Sequence, residues 1–210
     1  MTGHFITFEG GDGAGKSSLI IGLHAALIEK GYEVMQTRAP GGTEPGKVMR
    51  ELLLHPSEPV VEKAELFLFL ADRAHHVQKV IRPALVEGKV VLCDRYNDST
   101  IAYQGGARGF GIQRVEELCA FATDDLSPNL TIYLDIDPEI GLQRVKQATG
   151  RKDQIEAADV AIHQKIRDSF LDIGRKNPTR FQIIDGAKSK EEVFQEALRL
   201  IDEHCLAPSQ

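Results

Sequence analysis

The sequence predicts an α/β fold built on a mostly parallel sheet. Two observations carry it. Short apolar runs of strand type alternate with longer stretches of helical periodicity along the 210 residues, and a glycine-rich turn joins the first such run to the first helix. No repeat, low-complexity segment or linker interrupts the alternation, so the length fits one domain over residues 1–210, with small lids.

The first strand is read over residues 4–8, apolar and closed by glycines, and the first helix over 16–30, stopped at Gly31. A second strand covers 33–37, before the loop signal Pro40-Gly41-Gly42-Thr43. A short helix is expected over 46–54 and a long one over 60–86, kinked at Pro83. Strand three spans 89–93 and ends in Asp94-Arg95. Residues 96–111 are polar and glycine-rich and read as a functional loop with room for one helical turn. Helix 112–122 and strand 130–136 follow. Asp137-Pro138 then opens a helix to about residue 147, with the proline at its first position. After a basic connector come helix 155–175, strand 181–184 and helix 190–204, which makes five strands.

The turn after strand one is Gly10-Gly11-Asp12-Gly13-Ala14-Gly15-Lys16-Ser17, the spacing GxxxxGK[ST]. Its place between strand and helix gives it physical content. The glycines let successive backbone N–H groups turn inward onto phosphate oxygens, and the helix N-terminus adds its partial positive charge. Lys16 reaches the β- and γ-phosphates, the Ser17 hydroxyl is a Mg²⁺ ligand, and Ser18 continues the first turn. The sequence therefore predicts nucleoside triphosphate binding on a P-loop kinase or NTPase fold. Ligands of such sheets gather at the carboxyl ends of the strands.

Bulk properties exclude several classes. A net charge of −6 speaks against a nucleic-acid binder. No apolar run is long enough to span a bilayer, and the N-terminus enters a strand directly, which points to the cytoplasm. Cys93, Cys119 and Cys205 are too scattered for a disulfide framework, and the seven histidines lack ligand spacing.

Three further groups have the right chemistry. Asp94 closes an apolar strand, where a carboxylate can hold Mg²⁺ through water, and Arg95 beside it can grip a phosphate; alone, the pair also reads as a surface ion pair. Phe69 and Arg73, four apart on one helical face, could hold a nucleobase, although periodicity alone favours plain core. Arg144, Lys146, Arg151 and Lys152 surround Thr149-Gly150, either a basic flap over phosphates or a solvated helix end. No Asn-Lys-x-Asp motif for guanine occurs, and no hydroxyl-activating base is evident apart from Asp94 or Asp12. A phosphate acceptor needs none, being largely dianionic at neutral pH.

Taken together, these segments resemble the thymidylate kinase family over nearly the whole chain. The match runs from Phe8-Glu9 through the glycine loop, Arg38 to Thr43, Phe69 to Arg73, Asp94-Arg95-Tyr96, Ser99 to Gly105 and Tyr133 to Pro138. The resemblance implies a nucleoside monophosphate kinase with a short lid over about residues 144–154. Its reaction would be ATP- and Mg²⁺-dependent phosphorylation of dTMP to dTDP, for dTTP synthesis, by a homodimer. It implies that Phe69 stacks on thymine, and that Arg73 bonds the base carbonyl and the phosphate side. Arg95 becomes the acceptor-phosphate clamp, with Arg38 and Ser99 in the same site. Tyr103 and Gln104 contact sugar and base, and Asp12 stands near the acceptor. With no basic residue in the loop ahead of Lys16, the catalytic arginine falls in the lid, as in bacterial members, with Arg151 the foremost candidate. The adenine contacts fall on residues 186–189. The chain departs from the family pattern at Ala39, where a glutamate is common, and at Gln154, where an arginine is common. The alternatives are a kinase for another small phosphate acceptor and a regulatory ATP-binding module.

Overall fold

The computed structural model describes residues 3–149 and 160–206. Five parallel strands lie in the order β2-β3-β1-β4-β5: β1 His4–Gly10, β2 Val34–Arg38, β3 Val90–Asp94, β4 Leu130–Asp135 and β5 Phe181–Asp185. The helices are α1 Lys16–Glu29, α2 Glu44–Leu54, α3 Glu62–His76, α4 Arg82–Val86, α5 Asn97–Thr100, α6 Ile112–Thr123, α7 Pro138–Thr149, α8 Val160–Lys176 and α9 Lys190–Ile201. Crossovers leave the central β1 to both sides, so the carboxyl ends of β1, β3 and β4 open into one crevice.

Strand alternation sorts the core. Ile6 and Phe8 of β1 point to the face covered by α1 and α9, where Leu19, Ile20, Leu23 and Leu27 of α1 and Val193 and Leu200 of α9 are buried. Phe5 faces the other way, onto Val77, Ile81 and Tyr96. Thr7 and Glu9 share the parity of Phe5 and are fully buried, an expensive placement for polar groups that hydrogen bonds offset. Thr7 meets the Thr131 hydroxyl at 2.8 Å, and Thr131 donates to Asp98, which also takes two bonds of 2.8 Å from Arg180.

Two expectations need correction. The single helix read over 60–86 is interrupted by a π-helical turn, Val77–Ile81, in which the Arg82 N–H reaches the Val77 carbonyl. The irregularity falls one turn before Pro83, whose ring excludes the carbonyl four residues back. Residues 96–111, read as a loop, are mostly helical: α5 leads into a π-helical segment, Ile101–Ala107. Packing holds it, since Ile101 and Ala102 are buried and Gly106 leaves no room for a side chain against Ser169 of α8. Glycine is unfavourable in helices, so propensity pointed the wrong way. Asp137 behaves as expected: its carboxylate accepts the Glu139 N–H at 2.9 Å ahead of α7.

Candidate active site

The loop after β1 wraps around its own lysine. Lys16 Nζ donates to the Gly10 carbonyl at 2.9 Å and to the Gly11 carbonyl at 3.1 Å. Burial, reinforced by the positive charge of Arg95, lowers its pKa to about 8. Gly13 has φ +74°, and a Cβ there would collide with the Gly141 carbonyl of α7, so the loop sits flush on that helix. Ser17 and Ser18 are exposed on the first turn of α1.

Arg95 stands across the crevice. Its backbone is left-handed, φ +67°, a conformation that costs a non-glycine residue roughly 1–2 kcal/mol. It is held there by its N–H on the Phe8 carbonyl at 3.0 Å, while the Ala39 N–H bonds the neighbouring Asp94 carbonyl at 3.0 Å. The guanidinium donates to Asp12 Oδ1 at 2.9 Å, Ser99 Oγ at 3.2 Å and the Tyr103 hydroxyl at 3.3 Å. Backbone strain secured on several sides is what a pre-aimed functional group requires.

Arg73, 2% exposed, continues the cationic wall. It donates to the Arg95 carbonyl and to the Thr100 hydroxyl, at 3.4 and 3.2 Å, and its guanidinium lies over the Tyr96 ring. One turn back, Phe69 presents a half-buried ring. Burial pushes the Tyr103 phenol up to about 12, leaving it a neutral hydrogen-bond donor.

These groups line one cavity of about 1140 Å³. Asp12, Gly13, Ala14, Gly15, Lys16, Ser17 and Ser18 line one part of it, and Phe69, Arg73, Arg95, Ser99, Tyr103 and Gln104 another. Gly10 and Gly11 lie behind the wall, their carbonyls occupied by Lys16. Arg38 is exposed at the end of β2 and does not reach the cavity. Of the basic flap, Arg144 lines the cavity and donates to the Gly186 carbonyl at 3.0 Å, while Lys146 is exposed outside it. Arg151, Lys152 and Gln154 lie outside the described residues. Gly186, Lys188 and Ser189 line the same cavity.

Asp94 also lines it, and its buried Oδ1 has no hydrogen-bond partner among the described residues. A hard cation, with the exposed Ser17 hydroxyl on the same cavity wall, would satisfy that oxygen, so the donor set fits Mg²⁺. Ala39 is 2% exposed and puts a methyl group on the wall beside Asp94, where the family pattern has a carboxylate.

Sequence reasoning missed the residues that hold this arrangement. Glu9 is fully buried and accepts the Tyr96 N–H at 2.7 Å, the Ser99 N–H at 3.3 Å and the Ser99 hydroxyl, tying the strand under the glycine loop to the segment behind Arg95. Burial, then the nearby charge of Asp98, raises its pKa to about 7. Asp72 accepts the Gly41 N–H at 3.0 Å and so anchors the loop after β2 to the helix carrying Phe69 and Arg73. Arg50, on the cavity wall, donates to the Pro40 carbonyl. The available signal was a carboxylate within an apolar run, at Glu9 and again at Asp72.

A glycine loop on the central strand, a second cationic pocket opposite and a basic helix beside them define a P-loop phosphotransferase of the nucleoside monophosphate kinase type. The chain belongs to the thymidylate kinase family, whose model matches residues 8–197. It is 45% identical over 209 residues to the thymidylate kinase of Protochlamydia amoebophila, covering 96% of this chain and 93% of that protein. It is 48% identical over 196 residues to that of Carboxydothermus hydrogenoformans, covering 93% and 95%. The crystal structure of thymidylate kinase from Ehrlichia chaffeensis superposes with a TM-score of 0.80 at 33% identity, over 96% of this chain and all of that one.

Proposed function

We propose that the protein carries out its family's reaction, phosphorylation of dTMP to dTDP by ATP, with both nucleotides in the one cavity. The carrying observation is the strained Arg95, fixed between the ATP-binding loop and the pocket of Phe69, Arg73, Tyr103 and Gln104. A cavity of about 1140 Å³ exceeds what one small ligand needs and suits two.

The residues divide the work. Lys16 and the loop N–H groups hold the donor phosphates, and residues 186–189 flank the adenine end. Phe69 stacks on thymine, Gln104 and Tyr103 meet its polar edge and the deoxyribose, and Arg73 and Arg95 fix the acceptor phosphate. Asp12 and Ser99 restrain Arg95, so that an acceptor oxygen faces the γ-phosphorus in line. Catalysis is then alignment and charge stabilisation, without a covalent intermediate. Bound at Ser17 and Asp94, Mg²⁺ would neutralise phosphate charge. Residues 144–154 act as a lid within one functional unit and exclude water, with Arg151 and Arg144 its cations. Ala39 leaves Lys16, Arg73 and Arg95 intact, which supports retained activity. We also take the enzyme to be cytoplasmic and without a nucleic-acid partner, in line with its net charge of −6 and three buried free thiols. No helix among the described residues is long and apolar enough to cross a membrane. It acts as a homodimer through α2, α3 and α6, where Val48, Leu52, Phe67 and Phe121 are exposed on packed neighbours.

Phe69→Ala tests the acceptor site. Loss of base stacking predicts a fall in kcat/KM for dTMP of about 10- to 100-fold, with KM for ATP unchanged. A change within threefold would contradict the assignment.

A further inference from the structure

Beneath the glycine loop lies a second cavity, of about 20 Å³, walled by Asp12, Tyr133 of β4, Leu142 of α7, and His163, Arg167 and Phe170 of α8. That is room for one water molecule. Two side-chain atoms of the lining residues have no partner among the described residues. Asp12 Oδ1 accepts from Arg95, but the buried Oδ2 has none. His163 is 6% exposed, and its Nε2 has none. The other polar side chains of the wall are engaged. Arg167 donates to both oxygens of Asp135, at 2.7 and 2.9 Å, and the Tyr133 hydroxyl lies 3.4 Å from the same carboxylate. Two buried polar atoms without partners, on residues that share a water-sized cavity, call for a polar occupant.

We propose that this cavity is an internal water site joining Asp12 Oδ2 to His163 Nε2, and that His163 is a positioning residue for Asp12 and, through it, for Arg95. The water donates one hydrogen to the carboxylate and meets the imidazole with its remaining valence. His163 is the first buried residue of α8, the helix that directly follows residues 150–159. The bridge therefore ties the acid of the ATP-binding loop to the first turn of α8. The water stands on geometry alone; its consequence for the acceptor rests on the dTMP kinase reading.

A crystal structure of the wild-type protein at high resolution reads the water, and steady-state kinetics of His163→Leu and His163→Gln read the role. The expected results are density within hydrogen-bond distance of both atoms, and a rise of about fivefold in KM for dTMP in His163→Leu with KM for ATP unchanged. His163→Gln, which keeps a polar atom near the Nε2 position, restores most of the loss. A dry cavity, or a water bonded to only one of the two residues, overturns the site, whether or not the leucine variant folds. An unchanged KM for dTMP in His163→Leu, or a glutamine variant as impaired as leucine, overturns the positioning role. Wild-type protein inert toward dTMP would overturn the functional reading, and the density would still decide the water.

Discussion

Lys16 shows how the site sets the chemistry of a single residue. Buried under two carbonyls and near Arg95, it gives up its proton at about pH 8, well below an ordinary lysine. Only the charged form attracts a triphosphate. The sign follows: a depressed lysine pKa means that charge is lost as pH rises through that value. Because kcat/KM reports groups of the free enzyme, kcat/KM for ATP is predicted to fall above about pH 8, while kcat holds to higher pH because bound phosphates favour the cation. A profile of kcat/KM for ATP that stays flat to pH 9.5 would contradict the assignment. Lys16 was legible in the sequence because the glycine spacing specifies a backbone shape and the lysine follows from it. Glu9 was not, although it holds Tyr96 and Ser99 in place. Its partners lie 87 and 90 residues away, and no local pattern encodes a bond of that reach.

At the scale of elements, the fit between the glycine loop and α7 is a tight constraint. Gly13 combines a left-handed backbone with a position where any Cβ strikes the Gly141 carbonyl. Gly13→Ala is therefore predicted to cost at least about 1 kcal/mol of stability. Thermal unfolding should show a Tm lower by several degrees, together with a raised KM for ATP. An unchanged Tm would mean that the loop is not held against α7. All five strands and the longer helices between them were legible, because apolar alternation and 3.6-residue periodicity record which face of each element is buried; the short α5 was not. Residues 101–107 were not. Their helical form comes from contacts with α6 and α8, which override two adjacent glycines. The π-helical turn before Pro83 was legible only as a break, since the proline marks where regular bonding fails and not how the chain resolves it.

At the scale of the molecule, two features extend beyond the site. One is the set of exposed apolar side chains on α2, α3 and α6, among them Phe121, 86% exposed. If it is a dimer surface, light scattering at micromolar concentration should give about twice the 23.2 kDa chain mass, and Phe121→Glu should return the monomer. A wild-type monomer would contradict it. The other is that one crevice holds both the phosphate-binding loop and a separate cationic pocket, an arrangement suited to transfer between two phosphorylated ligands and unnecessary for a nucleotide switch. On this reading the second pocket selects dTMP. Its most direct test is a coupled ADP-release assay with Mg²⁺ATP and each nucleoside monophosphate in turn. Turnover with dTMP well above every other acceptor is expected. Equal or faster turnover with another monophosphate, or tight ATP binding with no turnover on any of them, would contradict it.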